Sequence, residues 1–231
     1  MFRLIRVPAV LDKFFGPLRP HVHWNHWRYC RLLVLAMTCM WGRRTVTNLD
    51  RDLEVAHHRT RFNNFFLVER WDPEAALRQQ AQAWRRALRP GQGETLYVIL
   101  DDSKQATRGK AMDAMAKMQE PTTDAYSRGH QYVCAILVYR DHVMPFGIRR
   151  YVKKAQGPTV GVPFHKTTEL AAQLIRECTP PAGVTVVVLV AASYLCPTVV
   201  KACREQQLHV ASTLQSHRSL FKQGWKRHAG R

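Results

Sequence analysis

The chain of 231 residues has no cysteine framework: Cys30, Cys39, Cys134, Cys178, Cys196 and Cys203 are scattered, and several fall in apolar periodic segments. Reduced, buried thiols are expected. Long apolar runs are also missing. The longest, Leu32 to Trp41 and Val184 to Ala192, fall short of the roughly 20 residues that span a bilayer, so no membrane role is expected. The stretch Phe2 to Pro8 is broken by charge and proline before a secretory core can develop, which points to the cytoplasm. There is no internal repeat. Acids are scarce, 17 Asp and Glu against 35 Lys and Arg, for a formal net charge of +18. The basic residues recur along the whole chain rather than in one tail, which favours a polyanionic partner, DNA or RNA. A merely solubilising basic surface or a ribosome-associated protein is the other reading of the charge. With 46% hydrophobic and 23% charged residues, the composition is that of a folded chain.

The periodicity divides the chain. Residues 1–90 read as helical and as a candidate DNA-binding region. Trp24, Trp27, Leu32, Leu35 and Met40 form a core-facing stripe, Gly42-Arg43-Arg44 makes a break, and a short helix begins at Thr45. Asp72-Pro73-Glu74 supplies an N-cap with proline at the first helical position, followed by Ala75, Leu77, Ala81, Trp84 and Leu88. Arg89-Pro90-Gly91-Gln92-Gly93 ends that helix. From Glu94 the period becomes that of strands: Leu96 to Asp102, Gln131 to Arg140, an Asp141-His142 turn and Val143 to Lys153. A helix over Thr168 to Cys178, a strand over Val184 to Val190, a helix over Pro197 to Gln206 and a strand over His209 to Leu214 follow. The unbroken aliphatic run of Val184 to Val190 predicts burial on both faces. The fold class is therefore α/β, with elements in the order βββαβαβ after a helical front. Such an order places the first and fourth strands side by side and parallel. The α/β part spans 94–217, and 218–231 is a basic tail.

Chemistry concentrates where Leu96-Tyr97-Val98-Ile99-Leu100 gives way to Asp101-Asp102-Ser103. Carboxylates at the exit of a buried strand are costly unless a cation compensates them, and phosphate chemistry needs acids that hold metal. A solvated strand end is the bland alternative. Around the pair lie Lys104, Arg108, Lys110, Arg149, Arg150, Lys153 and Lys154, which suit DNA phosphates or else protect an edge strand from aggregation. His21, His23, His26 and Cys30 have donors for zinc but no partner pair such as CxxC, so a basic, aromatic helix entry is the favoured reading. Trp24, Trp27 and Tyr29 offer rings to bases, although helical spacing favours a core role.

Several stretches together resemble the insertion-sequence transposases of the DDE superfamily. They are Leu96 to Ser103 with Arg108-Gly109-Lys110, Gly129-His130-Gln131, Met144-Pro145-Phe146-Gly147, Lys166 to Ala171, Val188 to Tyr194, and Trp41 to Thr47. The resemblance covers nearly the whole chain and rests on their order and spacing. It implies a ribonuclease H-like catalytic domain in which three acids hold two Mg²⁺ (or Mn²⁺) ions roughly 4 Å apart that cleave and transfer DNA strands. Asp102 matches the first acid and metal ligand, with Asp101 as its alternate. Ala191 stands where the second acid belongs, and the third, a Glu on a later helix, has no counterpart before Arg231; Glu169 and Glu205 sit on the wrong helices. The resemblance thus implies a degenerate, truncated transposase beside the bacterial nucleoid, catalytically defective, with weak or absent metal binding. Its partners would be transposon ends and target DNA, with self-association or association with an intact transposase. The alternative is a non-enzymatic DNA-binding or regulatory remnant.

Overall fold

The computed structural model describes residues 8–39, 45–52, 59–67, 71–107, 112–119 and 126–213. The chain divides into two compact units, Met1–Arg89 with Met144–Gly147, and Pro90–Val143 with Ile148–Arg231.

The first unit is helical: α1 (Asp12–Phe15), a 3-10 segment Gly16–His21, α2 (Trp24–Cys39), α3 (Val46–Asp52), α4 (Arg59–Leu67) and α5 (Pro73–Leu88). Its core gathers Val22, Cys30, Leu32, Leu33, Ala36, Leu49, Phe62 and Phe65, with Trp27, Tyr29 and Trp71 packed against them. Trp71 stacks on Phe65 at 5.6 Å between ring centroids. Trp24 departs from the expected stripe. It opens α2, ahead of the first turn that meets the core, and stands 78% exposed. Met40 and Gly42-Arg43-Arg44 lie outside the described residues. Thr45 precedes α3, and its hydroxyl accepts the amide of Asn48 at 3.2 Å, an N-cap bond. Asp72 does the same for α5, accepting the amides of Glu74 and Ala75 at 3.0 and 2.9 Å, with Pro73 in the first turn where no amide is needed.

The second unit is built on a six-stranded mixed sheet: β1 (Thr95–Ala106), β2 (Ala116–Gln119), β3 (Tyr126–Tyr139), β4 (His142–Tyr151), β5 (Thr185–Val190) and β6 (His209–Ser212). The order is β2-β3-β1-β5-β6, with β4 also on β3. β1 is antiparallel to β3 and parallel to β5, as the βββαβαβ reading requires, and β5 is parallel to β6. The arrangement is that of a ribonuclease H-like fold. The helices of this unit are a single turn, α6 (Gly157–Val160), then α7 (Thr167–Arg176) and α8 (Pro197–Glu205); a 3-10 turn, Ala192–Tyr194, precedes α8. Leu96, Val98, Leu100, Val133, Leu137, Val188, Leu174, Ile175 and Val199 are buried almost completely.

Four details differ from the sequence reading. β1 does not stop at Asp102 but runs to Ala106, because β3 continues beside it as far as the Ala106 and Gly129 pair. Within the polar stretch after β1, Ala116–Gln119 forms β2, and this partner lets β3 begin at Tyr126 rather than Gln131. The hairpin turn falls one residue earlier, on Arg140 and Asp141, with Arg140 in the left-handed region at φ 52°. The run in β5 is buried on one face only: Val186, Val188 and Val190 are buried, whereas Val187 and Leu189 are half-buried.

Candidate functional site

Alternation along β1 sorts its side chains. Leu96, Val98 and Leu100 point to the buried face, and Asp102 and Lys104 continue it; Tyr97, Ile99 and Asp101 take the other. Pairing of β1 with β5 ends at Leu100 and Val190, while pairing with β3 goes on through Asp101 with Cys134 and Asp102 with Val133. Past Leu100 the strand therefore loses one neighbour and keeps the other, which opens a notch beside Asp102 at the carboxyl ends of the parallel strands.

The notch is occupied by the chain's own donors. The amide of Gln131 donates to Oδ2 of Asp102 at 2.8 Å. The hydroxyl of Tyr194, on the 3-10 turn after β5, donates a short hydrogen bond to Oδ1. Tyr194 is 3% exposed, and its phenol is shifted far upward, first by burial and then by the hydrogen bond to the Asp102 carboxylate, so it stays a neutral donor. A hydrogen bond with Thr167, the first residue of α7, acts in the opposite direction. The Cys134 thiol is pushed up by burial and by the two carboxylates, Asp102 ahead of Asp101. Asp101 bends back locally, accepting the amide of Asp102 at 2.8 Å. Ala191 is exposed and lies one step beyond the Leu100 and Val190 pair, so it occupies the rim of the notch with a methyl group.

The donor set does not fit a pair of divalent ions. Asp101 and Asp102 point to opposite faces, so one carboxylate faces the notch, and the Ala191 side chain offers no oxygen. No group of three or more His, Cys, Asp and Glu that could hold a metal occurs among the described residues. The two acids elsewhere on the sheet's helices have structural tasks. Glu169 accepts the amide of Lys166 at 2.9 Å at the start of α7, and Glu205 pairs with Arg176 at 2.7 Å. In the helical unit, His23 and His26 meet edge to face at 6.3 Å, and Cys30 is buried in the core, which pushes its thiol up to about 11 and disfavours a thiolate ligand.

The expected cations separate into groups. Lys104 shares the face of Asp102. Arg149 is held against Glu177 by a short ion pair and is only 14% exposed, whereas Arg150 and Lys154 are exposed. Lys153 reaches the carbonyl of Lys117 on β2 at 3.4 Å. Arg108 and Lys110 lie outside the described residues.

Gln131 and Tyr194 were not identified from sequence as partners of the acid, although both lie in the stretches that carry the family resemblance. Glu94 at the opposite end of the sheet was missed as well. Its carboxylate accepts from the Tyr139 hydroxyl and the Gly91 amide at 2.5 Å each and from Arg140 at 2.6 Å. Those bonds bring it down to about 2. Among the described residues, no helix is long and apolar enough to cross a membrane. Comparison with known proteins finds that the family described as DDE superfamily endonuclease matches residues 17–231. No curated protein matches the chain.

Proposed function

The chain belongs to the DDE superfamily endonucleases, a transposase-like family whose substrate is DNA and whose chemistry generally uses divalent metal ions, and from that premise we propose a DNA-binding protein whose own cleavage site is disabled. The observation that carries the proposal is the isolation of Asp102: its oxygens accept from the neutral donors Tyr194 and Gln131, and Ala191 stands at the end of β5 where a second carboxylate would be needed. A metal ligand must present a free lone pair toward the ion, and Mg²⁺ demands near-octahedral oxygen donors from more than one side. Among the described residues, Asp102 alone can offer an ion a carboxylate at this end of the sheet, its oxygens each keeping a lone pair beside the bonds from Tyr194 and Gln131, and the Ala191 side chain supplies no second one. Binding has independent support in the net charge of +18 and in the exposed Lys154 and Arg150 near the sheet's edge. The DNA concerned would be the ends and target of a mobile element, in the cytoplasm beside the nucleoid, where the chain would occupy sites alone or with an intact transposase.

The test is one preparation assayed twice. Binding to duplex DNA should weaken steeply with salt and be unchanged by Asp102→Asn, while supercoiled plasmid should stay intact with Mg²⁺ or Mn²⁺. Metal-dependent nicking that Asp102→Ala abolishes would show an active enzyme and defeat the proposal. Failure to bind DNA at low salt would defeat it from the other side.

A further inference from the structure

Beyond the acids, β1, β3 and β2 continue as a three-stranded ribbon that the sequence pattern did not foreshadow. The ribbon is anchored. Ala114, Met115, Ala116 and Met118 are buried, His130 bonds the carbonyl of Asp113 at 2.8 Å, and Gln156 bonds the carbonyl of Met115 at 2.6 Å. Its middle strand needs glycine at one point: a Cβ on Gly129 would lie 2.0 Å from the carbonyl oxygen of Gln105, so only glycine lets β1 approach this closely. On this fixed frame the β2 and β3 register sets Lys117 directly opposite Arg128. Like charges opposed across an antiparallel pair are destabilising, and Lys153 adds a third cation by bonding the Lys117 carbonyl at 3.4 Å. Among the described residues no carboxylate pairs with any of the three. On the same face as Lys117 and Arg128, Tyr126 stands 61% exposed, with the Lys117 ammonium 4.0 Å from its ring centroid.

A packed backbone that sets Lys117 opposite Arg128, with no carboxylate on either among the described residues, costs stability in the free protein, and the cost is offset when an anion enters between them. We propose that this ribbon binds single-stranded nucleic acid, with a backbone phosphate between Lys117 and Arg128 and a base stacked on Tyr126. The exposed ring decides between strand forms. A cation pair alone would serve any polyanion, whereas an aromatic face is of use only to a base free of its partner. The site is separate from the Asp102 notch: Lys117, Arg128 and Tyr126 share the face of Asp101, opposite to that of Asp102.

The inference rests on the reading of the chain as a DNA-acting protein, but the two fail separately. The measurement is fluorescence anisotropy with a labelled single-stranded oligonucleotide and its duplex, over a range of salt. Lys117→Gln with Arg128→Gln should flatten the single-strand salt slope by about 0.7, the contribution of the one phosphate the pair holds. Tyr126→Ala should weaken single-strand binding about ten-fold or more while leaving duplex binding unchanged, and Tyr126→Phe should restore it. Without nucleic acid, Arg128→Gln, which leaves the Lys117 contact with Tyr126 in place, should raise the thermal midpoint, a readout that a merely structural arginine would move the other way. If the chain binds nucleic acid but these variants leave slope and affinity untouched, the ribbon site is wrong and the function reading survives. Equal loss on single strand and duplex with Tyr126→Ala, or displacement by polyglutamate as effective as by oligonucleotide, overturns the choice of ligand. A chain that binds no nucleic acid at all removes both.

Discussion

At Asp102 a carboxylate receives two hydrogen bonds from neutral side chains, and one of the donors, Tyr194, is almost wholly buried. Stability should follow the donor. Asp102→Ala leaves the Tyr194 hydroxyl with Thr167 as its remaining partner, and the loss of one such bond from a buried group costs about 1 kcal/mol. Urea unfolding of Asp102→Ala should show that loss, and Tyr194→Phe should show a similar one. The double variant should cost clearly less than the two together, because both remove the same bond. Full additivity would mean that the bond contributes nothing. An acid kept for ions behaves differently, since removing it relieves repulsion. The carboxylate itself was legible, because it follows a run of five aliphatic and aromatic residues in a basic chain. Its partners were not, since Gln131 and Tyr194 are 29 and 92 residues away, and nothing local in either stretch says which acid it will meet.

Elements whose ends carry their own chemistry were readable to within a residue or two. α5 begins where Asp72-Pro73 says it must, and α8 begins at Pro197. β1 shows why others were not. Hydrophobic alternation reports burial, and burial stops at Leu100, but the hydrogen-bonded ladder to β3 runs on to Ala106. β2 is four residues long and lies in a polar stretch, so period-2 patterning had too little to work on. A cap is also the feature with the plainest energetic consequence. Asp72 accepts two amides that no residue of α5 can otherwise satisfy. Asp72→Ala should therefore lower stability by about 1 kcal/mol, and Asp72→Asn or Asp72→Ser should recover most of it. Chemical denaturation followed by helical circular dichroism measures both. An unchanged midpoint for Asp72→Ala would mean that water caps α5 equally well.

Across the whole molecule, the order of strands and helices was legible because each change of hydrophobic period survives in a single sequence, and the parallel neighbours β1 and β5 follow from that order. The electrostatic balance of the folded chain was not. With a formal net charge of +18, acidification adds positive charge to a molecule that already repels itself, so every variant will lose stability at low pH. One carboxylate contributes separately. Glu94 joins the start of the sheet to the end of β3 through Tyr139 and Arg140, and its folded pKa lies at about 2, below the ordinary 4.5, owing to hydrogen bonds from Tyr139, Gly91 and Arg140. A depressed acid binds its proton more readily in the unfolded chain. Its contribution is therefore complete above the unfolded value and fades as pH falls through the folded one. The difference in unfolding free energy between the natural chain and Glu94→Gln isolates this contribution, because the general charge repulsion is nearly common to both. That difference should be constant from neutral pH down to about pH 5 and should close steadily toward pH 2. A gap that stays constant down to pH 2 would mean that Glu94 is no more acidic folded than unfolded, and that the Tyr139 and Arg140 bonds do not hold the carboxylate in solution.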